Sequence, residues 1–144
     1  MCTYYSPRED REREAIKTNF PDYDIVNPGT YEDTREKREK EMEFCRDLVK
    51  TCHALAFSTL YGHVSSGVGM EIDTALSIGI PVYEVDEKGM WKQVTGMPRT
   101  ISRDRTNELG RKWNRENISY RRETSVRLRP LGLIGTRRTH VYRP

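Results

Sequence analysis

Seven consecutive residues, Ser65-Ser66-Gly67-Val68-Gly69-Met70-Glu71, bring together two hydroxyls, two glycines and a carboxylate at the start of an apolar-periodic run. Glycines let backbone approach an anion closely. The free N–H groups at a helix amino terminus point at it, and the helix dipole favours it. Ser65, Ser66, Gly67 and Gly69 are therefore candidates to hold a phosphate or carboxylate. The plainer reading is a loop with a helix cap. Glu71 is expected in the first turn of a helix over about Val68 to Ser77. There a carboxylate complements the dipole by about 0.3–1 kcal/mol. Facing a pocket instead, it could attack the anomeric carbon of a sugar, a chemistry that wants a second acid to protonate the leaving group.

The elements that must position these residues alternate. Cys2 to Tyr5 reads as a strand. Ser6-Pro7-Arg8-Glu9 opens a helix to about Thr18, with Ser6 as cap, Pro7 at the first position and Glu9 closing a capping box. Tyr23 to Val26 is a strand ended by Asn27-Pro28-Gly29. Asp33 and Glu36 form a second capping box. Its helix should reach about Cys52 and bury Met42, Cys45, Leu48, Val49 and Cys52 on one face. Ala54-Leu55-Ala56-Phe57 has the length and character of a buried parallel strand. A loop from Ser58 to Ser66, the Val68 helix, a stop at Gly79 and the strand Pro81 to Val85 follow. Met90 to Val94 can add a strand, and Ile101 to Asn117 a helix interrupted by Gly110.

This rhythm predicts an α/β protein, Rossmann-like (flavodoxin-like), with a parallel sheet flanked by helices and a basic C-terminal extension. Such sheets bind ligands at the carboxyl ends of their strands. Tyr4, Tyr5 and Ser6 follow the first strand, Asn27 the second, and the loop holding His63 the third. His63 is a candidate proton donor or phosphate contact. His53, at a strand start, reads as structural. The domain division is 1–95 for the α/β body and 96–144 for a basic helix and arm.

Composition sets further bounds. The chain is 35% hydrophobic and 33% charged, so its core must be concentrated in a few segments. No run of about 18 apolar residues suggests a membrane span. The first residues lack the basic and apolar regions of a secretory signal. Three cysteines, Cys2, Cys45 and Cys52, without CxxC spacing, read as reduced thiols in a cytoplasmic protein. Residues 1–90 carry 11 Lys/Arg against 18 Asp/Glu, whereas residues 91–144 carry 14 against 4. A body at −7 and an extension at +10 suggest nucleic-acid contact through the arm, or an arm docked on an acidic neighbouring subunit. The extension is rich in arginine, which suits bidentate phosphate contacts. Trp113, Tyr120 and Tyr142 are interleaved for base stacking. It carries no known nucleic-acid motif.

The segment Ser65-Ser66-Gly67-Val68-Gly69-Met70-Glu71-Ile72, followed by Ala75, Leu76, Gly79 and Pro81-Val82, resembles the nucleoside 2-deoxyribosyltransferase family. It looks closest to the 2'-deoxynucleoside 5'-phosphate N-hydrolase branch. The resemblance spans about residues 1–86. It implies that Glu71 is a nucleophile forming a glycosyl-enzyme intermediate, and that Ser66, Gly67 and Gly69 hold the 5' end of a nucleotide. Tyr4 or Tyr5 would orient the glutamate and the sugar. It also implies a homodimer or larger homo-oligomer whose neighbour completes the pocket, with no metal and no cofactor. The family usually has an aspartate just before the third strand, where this chain has His53. The family's acid, two turns upstream, falls on Cys45, with Asp47 one of several nearby acids. The expected activity is cleavage or transfer of the N-glycosidic bond of a (deoxy)nucleoside 5'-monophosphate or related nucleoside, NAD included. The alternatives are a nucleotide-binding or sensing module without catalysis and a nucleic-acid-associated protein.

Overall fold

The computed structural model describes residues 7–26, 40–117 and 140–142. Helix α1 spans Pro7–Asn19, with Glu9 and Asp10 in its first turn and Lys17 in its last, as the dipole favours. Strand β1 (Asp24–Val26) follows. Helix α2 spans Glu41–Lys50 and is capped by backbone alone at Lys40. The predicted start at Asp33 lies outside the described residues, as do the strand Cys2–Tyr5 and the cap Ser6. Strand β2 (Ala54–Phe57), helix α3 (Ser66–Ser77) and strand β3 (Val82–Val85) come next. Strand β4 (Trp91–Val94), helix α4 (Arg103–Glu116) and strand β5 (His140–Tyr142) complete the order.

The sheet runs β1-β5-β2-β3-β4. Strands β2 and β3 are parallel, with Leu55 opposite Val82 and Phe57 opposite Glu84. Strand β5 is antiparallel to both β1 and β2, so β1 points the same way as β2 and β3. Strand β4 is antiparallel to β3. The expectation of a parallel sheet is therefore corrected to a mixed one. The reason at β4 is the connection. Asp86 Oδ1 accepts from the N–H groups of Lys88 and Met90, and Gly89 takes a φ of 80°. So short a turn can only reverse the chain, because a parallel partner needs a long crossover.

Helices lie on both faces. Leu55, Phe57 and Val82 face α2 and α3, where Val49, Val68, Ile72 and Ala75 complete a core cluster. Ala54, Ala56 and Val85 point the other way, onto Ile16 of α1 and the rings of Phe20, Tyr23, Tyr83 and Trp91. This strict alternation on a strand buried at all four positions explains why β2 reads as a continuous apolar run. Helix α3 ends as expected at Gly79. Its φ of 77° allows Ile80 N–H to reach back 2.9 Å to Ala75 O in a Schellman-type closure.

Candidate functional site

The amino ends of α1 and α3 meet the carboxyl edge of the sheet. Arg8, the second residue of α1, is buried. Its guanidinium donates to the Thr59 carbonyl just beyond β2, to Glu87 Oε1 at 3.1 Å just beyond β3, and to Glu12 Oε1 at 2.7 Å within α1. One planar fork thus ties three segments at the edge where open α/β sheets bind ligands. Sequence reading missed Arg8. The capping pattern locates the helix, but nothing local reports a partner fifty residues away.

The loop between β2 and α3 is more ordered than its composition suggests. Leu60 and His63 exchange backbone hydrogen bonds at 2.9 and 3.0 Å. Tyr61 and Gly62 between them have φ of 50° and 75°, the type I′ pattern. Positive φ is unfavourable for a tyrosine. Its side chain is correspondingly well held. The Tyr61 hydroxyl bonds Glu116, the ring meets Trp113 edge-on at 6.3 Å, and Lys112 Nζ sits 4.5 Å from its centroid. Leu60, Leu109, Ile101 and Trp113 close a small core beneath. His63 is exposed at the end of this turn.

Helix α3 starts two residues earlier than expected. Ser65 is its cap, in extended backbone, with Oγ accepting from Val68 N–H at 3.3 Å. Gly69 N–H donates to the Ser65 carbonyl, and Ser66 N–H donates to Thr106 Oγ1 of α4 at 3.2 Å. Gly69 is not open to a ligand, because a Cβ there would collide with Thr100. Its small size serves close packing of the chain after β4.

The earlier start moves Glu71 into the second turn, which corrects its expected place in the first. The dipole effect fades beyond the first turn, so dipole complementation does not account for this residue. Glu71 is 1% exposed, the most deeply buried carboxylate among the described residues. Its helix-face neighbours Gly67, Val68 and Ala75 are buried too.

The other candidates divide. Asp47 is exposed and paired with Lys50 at 2.8 Å, on the side of α2 opposite buried Cys45 and Val49. Tyr4, Tyr5, Ser6 and Asn27 lie outside the described residues. His53 packs against the Tyr23 ring at 5.8 Å. Cys45 and Cys52 are buried and in no disulfide. Burial pushes the Cys52 thiol up to about 11, and it donates to the Leu48 carbonyl at 3.2 Å, so it is no nucleophile. Among the described residues no three His, Cys, Asp or Glu side chains converge as metal ligands. No described helix is long and apolar enough to cross a membrane.

Comparison with protein-family models, with curated proteins and with solved structures finds no match to the chain.

Proposed function

We propose that the chain cleaves or transfers the N-glycosidic bond of a nucleoside 5'-monophosphate or related nucleoside, with Glu71 as nucleophile. The observation that carries this reading is the burial of Glu71 on a helix that starts at the carboxyl edge of the sheet. A carboxylate removed from water is a stronger nucleophile toward a sugar's C1' than one in solvent, and burial protects the glycosyl intermediate from premature water. The 5'-phosphate would lie at Ser66 and Gly67. Gly69 serves packing in this reading. The fold proposed with it is Rossmann-like, supported by the common direction of β1, β2 and β3 and by helices on both faces. A cytoplasmic homo-oligomer, as the family resemblance implies, belongs to the same proposal. The test is incubation with a mixed panel of nucleoside monophosphates and NAD, with mass detection of released base. Wild type releases base from at least one member, and Glu71→Ala and Glu71→Gln release none. Release by either variant at the wild-type rate, or by no protein at all, rejects the reading.

A second reading is favoured by the solvent-facing position of Asp47. In it, with Asp47 turned to solvent, the site binds a nucleotide and does not turn it over. Saturable binding without base release selects it.

A further inference from the structure

Strand β5 stands where the sequence places another. It lies between β1 and β2 and is antiparallel to both, although β1 and β2 run the same way. In open α/β sheets that begin with a strand–helix–strand unit, the first strand takes the place between the second and third. The segment with the sequence of that first strand is Cys2–Tyr5, outside the described residues. Only Ser6 separates it from α1. Helix α1 sits over the slot's flank: Ile16 packs on Ala54 and Ala56 of β2, and Arg8 in the first turn holds the Thr59 carbonyl just beyond β2. A parallel strand feeding α1 from the slot therefore starts one strand spacing, about 4.8 Å, from β2.

Strand β5 fills this slot lightly. Its register meets β1 at three positions but β2 only at Ala54 and Leu55, so Ala56 and Phe57 face no described strand on that side. The 22 residues 118–139 join it to α4, a length of chain that reaches about 70 Å when extended and does not tie β5 to this place.

We infer that the slot between β1 and β2 is an exchange site for two segments of this chain, β5 and Cys2–Tyr5. Each is short and carries β-branched and aromatic residues, and a slot lined by main-chain N–H and C=O groups takes a strand in either direction. Both do not fit at once. With β5 in place, Tyr142 lies opposite Asp24 at the amino edge of the sheet. With Cys2–Tyr5 in place, all strands from β1 to β3 run one way and Tyr5 ends at the carboxyl edge, where Arg8 and the start of α3 lie. The exchange does not depend on which ligand, if any, that edge binds.

Val141→Pro disables β5 and Thr3→Pro disables Cys2–Tyr5, because proline cannot donate within a central strand. The readout is amide hydrogen exchange in the full-length chain. Leu55 N–H donates to the Pro81 carbonyl beside β3 at 2.9 Å, so the N–H of Ala54, one residue earlier, turns to the slot. Wild type and both single variants keep Ala54 protected, Val141→Pro gains protection at Thr3 and Tyr4, and only the double variant loses it at Ala54. Deletion of residues 140–144 repeats the Val141→Pro arm without a proline. Loss at Ala54 in both of these variants, or failure of both to fold, means that nothing replaces β5 and overturns the exchange. Ala54 kept without the gain at Thr3 and Tyr4 means another occupant, a second copy included, and overturns it as well. Loss at Ala54 in Thr3→Pro alone, or none in the double variant, does the same.

Discussion

The backbone of Gly69 and the methyl of Thr100 meet so closely that no Cβ fits between them. This places the chain after β4 against the first turn of α3 and makes Gly69→Ala an overpacking change inside a tight contact. Such changes cost about 1–3 kcal/mol. The nearest obstructing atom is Thr100 Cγ2, which Thr100→Ser deletes. In urea unfolding, Gly69→Ala should lose stability, and the double variant should recover part of the loss. Equal losses in single and double variants would show that the contact is not the cause.

Gly79 answers to a different constraint. A Cβ there would meet nothing within 4 Å, yet φ is 77°. Alanine would be strained by conformation and not by a clash. Gly79→Ala should cost about 1 kcal/mol and Gly79→Asn less, because asparagine tolerates the left-handed region. The same denaturation series reads both, and a loss with asparagine as large as that with alanine would contradict the conformational account.

Arg8 is a buried cation whose acceptors come from three segments. Removing it strands Glu12, whose side chain is 13% exposed, without its guanidinium. Breaking a buried pair in this way costs about 3–5 kcal/mol, so Arg8→Ala should unfold at markedly lower urea. Glu87 is 72% exposed, and Glu87→Gln should change stability by less than about 1 kcal/mol. A mild effect of Arg8→Ala in thermal and urea melts would remove this tie from the account of the edge.

How much of this was legible in the sequence follows the range of the interactions. Strand β2 and helix α3 were readable because burial and periodicity are local: Ala54 to Phe57 is apolar throughout, and Ile72 and Ala75 recur at helical spacing. The stop at Gly79 was legible for the same reason. The start of α3 lies two residues before the expected Val68, because Ser65 caps the helix through Val68 N–H and Ser66 N–H is taken by Thr106, forty residues away. Gly67 and Gly69 looked alike in sequence, yet Gly69 is explained by Thr100. The direction of β4 hinged on the turn at Asp86 to Gly89, whose side-chain-to-backbone bonds are cues weaker than the strand pattern itself. Helix α4 reads as basic and exposed by composition, although Thr106, Leu109 and Gly110 are buried against the body.

Cys52 gives a pH-dependent prediction. Its folded thiol titrates near 11, raised from 9.0 by burial. A raised folded value means that the native state holds the proton more tightly than the unfolded chain. Its contribution to stability is then complete below pH 9 and is lost as pH rises toward 11. Native protein at pH 8 should resist iodoacetamide at Cys52, with labelling rising steeply above pH 10. Peptide mapping by mass measures this, and rapid native labelling at pH 8 would refute the burial argument.

Asp47 and Glu71 separate the two readings of function. Asp47 forms an exposed pair with Lys50 three residues along α2, worth at most about 0.5 kcal/mol. Asp47→Asn should therefore leave stability nearly unchanged and, being on the solvent face, leave any base release unchanged as well. Glu71→Gln keeps the shape of a fully buried side chain and removes its capacity to form a glycosyl ester. It should abolish base release while retaining nucleotide binding. Assaying both variants with the same substrate panel gives a decisive pattern. Loss with Glu71→Gln alone supports a nucleophile whose leaving group is protonated by something other than Asp47. Loss with Asp47→Asn in a stably folded protein would mean that Asp47 reaches the site from another subunit, because it lies on the exposed face of its own helix.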